Sequence, residues 1–297
     1  MAETVRRLTR TAKAMASASA DSRGEGRVVL LFDGSPGSLL ALQFARQAAG
    51  SLRPLEAVYI EESNWLRSAA FGFAAEVGAL SGSMRRNDPA SIEQRLARRR
   101  ERVRRALLSA LGPATDCRLL IRRGRTLEEA LALVGPNDLM VVGRVGYSSH
   151  IGRSLGSLAY ALARRADGQV LLSPRQIPGH RPGVARVAVL LDQPTAAFEL
   201  LETAAERARQ CHSGLLVLVS AGGCEESGLS EWLRHCPVPV QLRRLPQRPD
   251  PGGRILARVL IEADAGELLL SRRGRLFAVP DAAAALARVP GPVSVLP

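Results

Sequence analysis

A loop rich in glycine and serine is the segment of this 297-residue chain whose residue types and spacing best suit ligand binding. Gly143, Gly146, Gly156 and Ser157 follow the spacing G-x2-G-x9-G-S. An apolar run that predicts a buried strand precedes the loop, and a predicted helix follows it. Glycine lets the backbone approach a ligand closely and adopt positive φ. Composition alone leaves a plain strand-to-helix loop as the alternative.

The end of this loop favours a phosphate ligand. Gly156, Ser157 and Leu158 place backbone N–H groups at a predicted helix N-terminus. A phosphate is stabilised there by hydrogen bonds and by the helix dipole together. Arg144 and Arg153 flank the loop and would add positive charge.

Several other chemistries fit the sequence poorly. Lys13 is the only lysine, so the chain lacks the core lysine of a Walker A loop, a kinase or a Schiff-base enzyme. Ser154 lies in a G-x-S-x-G pattern, but the preceding strand ends near Val142, too early for a hydrolase nucleophile elbow. An adenylating enzyme would carry an S-G-G-x-D-S-type loop after its first strand, which this chain does not have.

Arginine dominates the charge, with 41 basic against 28 acidic residues and a net charge of +13. Seven arginines lie between Arg95 and Arg105, within a predicted helix over Ser91 to Leu111. A solvated face, an acidic protein partner and nucleic acid are the alternatives for this helix. The absence of interleaved aromatic residues makes nucleic acid the least favoured of the three.

The cysteine pattern predicts a reduced, cytoplasmic protein with free thiols. The four cysteines form no C-x-x-C pair, and their spacing from His212 and His235 matches no familiar zinc pattern. No run of 18 apolar residues occurs, so we expect no transmembrane helix.

Strand and helix patterns alternate along the chain, which predicts an α/β fold with doubly wound parallel sheets. In the first half the predicted strands are 27–33, 55–60, 119–121, 139–142 and 170–172. The predicted helices begin after Ser35, at Ser91, at Thr126 and at Ser157, with Thr126 and Glu129 in capping-box register.

An internal duplication predicts two domains. The segment from Arg186 to Asp192 repeats the segment from Arg27 to Asp33 at an offset of 159 residues. We therefore expect a mobile tail over 1–26, a nucleotide-binding domain over 27–174, a linker over 175–185 and a degenerate domain over 186–297. Each copy is large enough to form its own core.

The loop and its context resemble the universal stress protein family, of the ATP-binding kind. The motif G-x2-G-x9-G-S is complete, and the first strand ends in Asp33-Gly34-Ser35, with the family's Asp and Ser in place. The resemblance implies five-stranded parallel sheets of order 3-2-1-4-5 with helices on both faces. That order brings the ends of strands one and four together at the switch point where ligands bind.

The resemblance also implies the ligand and its site. ATP, or its products ADP or AMP, is the expected ligand, with Mg²⁺ as an accompanying ion and at most slow hydrolysis. The residues implied to bind it are Asp33, Gly34, Ser35, Tyr59, Val142, Gly143, Arg144, Gly146, Arg153, Gly156, Ser157 and Leu158. Tyr59 departs from the small aliphatic residue usual at its position. The role implied is regulation or stress response.

The implied assembly is a pseudo-dimer of the two copies, paired through their fifth strands, and a dimer of whole chains is a further expectation. The second copy lacks the complete glycine motif, because Ser271 replaces the first glycine and Pro280 aligns with Ser157. One nucleotide per chain is therefore expected. A nucleotide-independent interaction module or nucleic-acid-binding module is the alternative function.

Overall fold

The computed structural model describes residues 26–64, 75–77, 82, 84–86, 89–111, 117–145, 155–175, 185–246, 250 and 252–297. The strands of the first half are β1 Val28–Leu31, β2 Leu55–Glu62, β3 Ala75–Val77, β4 Met84–Arg86, β5 Arg118–Gly124, β6 Leu139–Gly143 and β7 Gln169–Ser173. Those of the second half are β8 Arg186–Leu191, β9 Leu215–Val219, β10 Val240–Arg244, β11 Ala265–Ser271 and β12 Val293–Leu296.

Eight α-helices connect these strands within the described residues. They are α1 Pro36–Ala49, α2 Pro89–Leu111, α3 Thr126–Ala132, α4 Ser157–Arg165, α5 Ala197–Gln210, α6 Glu226–His235, α7 Arg254–Glu262 and α8 Ala282–Arg288. A short 3₁₀ helix covers Arg275–Ala278. None of the helices in the described ranges is long and apolar enough to cross a membrane.

The main sheet has ten strands, in the order β10-β9-β8-β11-β12-β7-β6-β1-β2-β5. Each half contributes five parallel strands in the order 3-2-1-4-5, which confirms the predicted fold class. The halves join where β12 runs antiparallel to β7, with Val293 opposite Leu172 and Val295 opposite Val170. The sequence predicted a five-stranded sheet in each half. In the structure the two sheets form one continuous sheet because the last strands of the two halves pair edge to edge.

Helices cover both faces of the first half's sheet, as the alternation of side chains along β1 requires. Val28 and Leu30 pack in a core cluster with residues of α1 and α2. Val29 and Leu31 pack in another cluster with residues of α3 and α4. Layers on both faces explain why β1 is apolar throughout.

Local signals explain the start of α1. Ser35 is its N-cap, with its side-chain Oγ accepting a hydrogen bond from the Ser38 N–H at 3.2 Å, and Pro36 occupies the first helical position. The predicted capping box of α3 is wrong. Arg125 is the N-cap of α3, and the Thr126 hydroxyl instead donates to Glu62 Oε2 at 2.7 Å.

Candidate functional site

A cavity of about 1100 Å³ opens beyond the carboxyl ends of β1, β2 and β6. These strands are neighbours, so the loops that follow them meet at the switch point of the first half's sheet. Of the predicted site residues, those that line the cavity are Asp33, Ser35, Tyr59, Val142, Gly143, Arg144, Gly156, Ser157 and Leu158. Gly146 and Arg153 lie outside the described residues.

The turn after β1 positions a carboxylate at the cavity wall. Asp33 Oδ1 accepts a hydrogen bond from the Ser35 N–H at 2.9 Å. Gly34 supplies the turn with a φ of +77°, and a Cβ atom there would lie 3.6 Å from the Ala106 Cβ. Gly34 is not among the residues that line the cavity. Its role in this structure is to turn the chain beneath α2.

Gly143 is needed for packing against α1. It is the last residue of β6, and its φ is not positive. A Cβ atom at Gly143 would lie 2.8 Å from the backbone carbonyl carbon of Gly37. A Cβ atom at Gly37 would lie 2.1 Å from the Val145 carbonyl oxygen. The expectation of positive φ at Gly143 is therefore wrong. A glycine is needed at this position for a different reason, since two backbone segments cross there too closely for a side chain.

The N-terminus of α4 forms another part of the cavity wall. Gly156 is its N-cap, and the Gly156 N–H donates to the Arg144 carbonyl at 2.8 Å. The first N–H to close the helix is that of Tyr160, which donates to the Gly156 carbonyl. The amides of Ser157 and Leu158 precede it, in the first turn of the helix, where N–H groups have no intrahelical partner. This end of the helix therefore offers donors to an anion at the cavity.

Arg144 lines the cavity, but its guanidinium group does not provide the positive charge for a phosphate that the sequence predicted. The side chain is 1% exposed and donates to the Val289 carbonyl at 2.6 Å and to the Gly291 carbonyl. Both acceptors belong to the second half of the chain. Burial, with a smaller effect from the charge of Arg175, lowers the pKa of the Arg144 guanidinium to about 9. In the structure this side chain joins the two halves of the chain.

Tyr59 lies on β2 and is almost entirely buried, at 4% exposure, with part of its surface at the cavity. Burial raises the pKa of its phenol above the usual value. Val142 is also buried at the cavity wall, one residue before Gly143.

The arginines of α2 are the site residues whose position the sequence did not predict. Four of them line the cavity, namely Arg95, Arg98, Arg99 and Arg102. Their spacing of three or four residues places them along one side of the helix. The sequence shows that these arginines lie on one side of the helix, but it does not show that this side faces the cavity.

A buried ion pair ties α2 to β2. Glu61 has a side chain that is 2% exposed, and its Oε1 accepts from Arg100 Nε at 2.8 Å. Its Oε2 accepts from Arg123 Nη2 at 3.1 Å and from Arg123 Nε at 3.3 Å. Glu61 therefore joins α2 and β5 to the end of β2, beside the row of cavity arginines.

Glu62 presents a second carboxylate to the cavity. Its Oε2 accepts from the Thr126 N–H at 3.2 Å and from the Thr126 hydroxyl. Its Oε1 is buried, with no hydrogen-bond partner among the described residues. A buried acceptor without a donor is unfavourable, so a ligand that donates to it would be stabilised. The cavity thus offers hydrogen-bond donors at the start of α4 and a carboxylate acceptor at the end of β2.

The equivalent region of the second half is built differently. The Leu276 N–H, in the 3₁₀ helix that follows β11, donates to Asp192 Oδ2 at 2.7 Å. Phe277 in the same turn is 6% exposed and belongs to the core. Asp192 is the counterpart of Asp33, and burial raises the pKa of its carboxyl group. In the second half, the Leu276 backbone therefore contacts Asp192, and the Phe277 ring is buried in the same turn.

Within the described ranges, no group of three or more His, Cys, Asp or Glu side chains could hold a metal ion. The four cysteines are free.

Comparison with known proteins supports the fold. No family model and no curated protein matches the chain. A universal stress protein from Archaeoglobus fulgidus DSM 4304 has a similar structure, with 15% identity and a TM-score of 0.60, covering 92% of this chain and 96% of that chain. A universal stress protein from Archaeoglobus fulgidus in complex with dAMP is 18% identical and covers 38% of this chain and 98% of that one. The TM-score of that comparison is 0.29.

The chain therefore has the fold of the universal stress proteins, which confirms at the level of fold the resemblance that its residues indicated.

Proposed function

We propose that the first half binds an adenine nucleotide, ATP or its products ADP or AMP, and that the protein acts as a universal stress protein in regulation or stress response. The observation that carries this proposal is the cavity where Asp33, Gly143 and the N-terminus of α4 come together. Ligands of open α/β sheets bind at such a switch point.

The proposed nucleotide lies with its 5′-phosphates at the amides of Ser157 and Leu158. Its adenosine part lies towards the ends of β1 and β2, near Asp33 and Tyr59. Glu62 Oε1 is suited to accept a hydrogen bond from an amino or hydroxyl group of the ligand. Mg²⁺ would accompany the phosphates, since it usually binds through phosphate oxygens and one or two carboxylates.

We propose a binding role rather than rapid catalysis. A general base must lie within hydrogen-bond reach of the water that it activates. Asp33 Oδ1 accepts from the Ser35 amide and Glu62 Oε2 accepts from Thr126. Glu62 Oε1, the carboxylate oxygen without a partner among the described residues, is assigned in this proposal to a donor group of the ligand and not to an attacking water. At most slow hydrolysis is expected. The four free cysteines are in keeping with a cytoplasmic protein.

We further propose that the second half is a degenerate copy that binds no nucleotide and acts as a pseudo-dimer partner. The contact of Leu276 with Asp192 and the burial of Phe277 support this, because they use the region that a nucleotide would need. The pairing of β7 with β12 supports the pseudo-dimer, since it covers two edges that would otherwise be open.

The decisive variant is Ser157→Pro. Proline at the first helical position has no N–H, and it is well tolerated there because its φ suits a helix. Gly156 has a φ of −60° and a ψ of 140°, a conformation that a following proline accepts. Losing one charge-assisted donor costs about 1.5–3 kcal/mol, which is about ten- to a hundredfold in Kd.

Calorimetric titration with ATP is the assay, and Ser157→Ala is the matched control because it removes only the hydroxyl group. Ser157→Pro should bind ATP more weakly than Ser157→Ala. Equal affinities in two folded variants would contradict the placement of the phosphates. If acid extraction of the purified protein releases no adenine nucleotide and none binds on titration, the alternative of a nucleotide-independent module is favoured.

A further inference from the structure

Two positively charged features border the same cavity. One is the N-terminus of α4, with the amides of Ser157 and Leu158. The other is the row of α2 arginines, Arg95, Arg98, Arg99 and Arg102. From Arg95 to Arg102 the row extends about 10 Å along the helix axis, at 1.5 Å per residue. Such a row is longer than a single phosphate needs.

The two features belong to opposite layers of the fold. Helix α2 buries Val103 and Leu107 in the cluster that contains Val28 and Leu30 of β1. Helix α4 buries Leu162 in the cluster that contains the alternate residues of β1. Alternate side chains of a strand point to opposite faces of the sheet. The arginine row and the α4 N-terminus therefore approach the cavity from two different sides.

The ends of the strands between these layers carry carboxylates. Asp33 follows β1 and Glu62 ends β2, and both line the cavity. Carboxylates accept hydrogen bonds from hydroxyl and amino groups and repel phosphate. The cavity thus has an acceptor-rich middle with a cationic region on each side. Arg98 and Arg102 form no hydrogen bond or ion pair with the residues that the structure describes.

We propose that this cavity prefers a nucleotide that carries phosphate at both ends of its ribose. The 5′-phosphate lies at the N-terminus of α4, and a phosphate on the 2′ or 3′ oxygen lies at the arginine row. This inference rests on the proposed function, since it assumes that a nucleotide occupies the cavity. Arginine suits the second position because its planar fork binds phosphate oxygens in pairs.

Three ligands separate this arrangement from a simple preference for charge. AMP has one phosphate, whereas ADP and adenosine 3′,5′-bisphosphate both have two and differ in where the second is attached. The bisphosphate should bind more tightly than AMP by about tenfold, the effect of one good charge-assisted contact. The difference should decrease as salt is raised, because the arginines are partly exposed.

The test measures the ratio of the two Kd values, for AMP and for the bisphosphate, in the full chain by calorimetry. The variant Arg98→Gln/Arg102→Gln should bring this ratio close to one. The matched control Arg104→Gln/Arg105→Gln removes the same charge from exposed positions of the same helix that do not line the cavity. It should keep the wild-type ratio. The ratio of AMP to ADP affinities should be unaffected by the Arg98 and Arg102 changes.

A bisphosphate that binds the wild type no better than AMP would overturn the inference. A ratio that persists in Arg98→Gln/Arg102→Gln, or that falls equally in the control, would also overturn it. In each of these cases AMP still binds, so the proposed function survives. If none of the three nucleotides binds the folded wild-type chain, the proposed function itself fails.

Discussion

Replacing Glu61 tests whether the buried ion pair between β2, β5 and α2 stabilises the fold. Glu61 has a side chain that is only 2% exposed, and it accepts hydrogen bonds from both Arg100 and Arg123. In Glu61→Gln the side chain keeps its shape but loses its charge, and its amide N–H₂ would face arginine donors. Removing one partner of a buried ion pair leaves the other charges without compensation.

The expected loss in the free energy of unfolding is about 2–4 kcal/mol. A hydrogen bond to a charged group contributes about 1.5–3 kcal/mol. Arg100 and Arg123 are 35% and 43% exposed, so water partly replaces the lost partner and the loss stays below the sum of the separate bonds. The assay is urea unfolding followed by circular dichroism, with the slope of the transition compared between variants.

Glu101→Gln is the matched control. Glu101 lies on the same helix and pairs with Arg105 at 3.1 Å, but these side chains are 53% and 71% exposed. An exposed pair of this spacing contributes only about 0.3–0.5 kcal/mol. If Glu61→Gln and Glu101→Gln lower the free energy of unfolding equally, the buried contacts of Glu61 do not stabilise the fold more than an exposed ion pair does.

Three further outcomes are expected. Phe277→Ala should lower the free energy of unfolding by about 3–5 kcal/mol on urea titration, because it empties a core position, and a loss below about 1 kcal/mol would contradict that burial. Burial, with a smaller effect from Glu267, raises the pKa of the Cys211 thiol to about 11, so iodoacetamide at pH 8 should alkylate it far more slowly in the native than in the unfolded chain. Mass spectrometry of the Cys211 peptide measures this, and equal rates would refute it. ATP titration should saturate near one nucleotide per chain, and a value near two would show that the second half also binds.

The start of α1 was predictable because its signals are local. An apolar run, then Asp33, Ser35 and Pro36, specifies a buried strand, a turn and a capped helix, and the structure contains all three. The strand order was also predictable, since it follows from the resemblance to a known fold. The start of α1 depends only on neighbouring residues, and the strand order depends on the family to which the motif points, so both can be predicted from the sequence.

The direction of individual polar side chains was not predictable, because it depends on contacts distant in the chain. Arg144 was expected at a phosphate, yet its acceptors are carbonyls about 145 residues away in the sequence. Thr126 was expected to cap its own helix, but Glu62 offers its hydroxyl a carboxylate. The α2 arginines share a face by periodicity. Only the packing of this 23-residue helix in the folded chain places that face at the cavity.

The contact between the halves is reciprocal, and Arg144 is one side of it. Arg272 follows β11 as Arg144 follows β6. Arg272 donates from Nε to the Ala163 carbonyl at 2.9 Å and from Nη2 to the Gly168 carbonyl at 2.7 Å. Burial lowers the pKa of the Arg272 guanidinium, as it does that of Arg144. Each half thus sends an arginine from the end of its fourth strand to backbone carbonyls of the other half.

This reciprocity explains which features the second copy has kept. Each arginine has one glycine carbonyl among its two acceptors, Gly291 for Arg144 and Gly168 for Arg272. Gly168 lies one residue before β7 and Gly291 two residues before β12. The contacts across the β7–β12 pair are therefore preserved in both halves, whereas the glycine loop is complete only in the first. Arg144 also accepts, through its carbonyl, the amide of Gly156 at the start of α4. Arg144 thereby links the start of α4 to the second half of the chain, so the position of that half constrains the described residues at the two ends of the glycine motif.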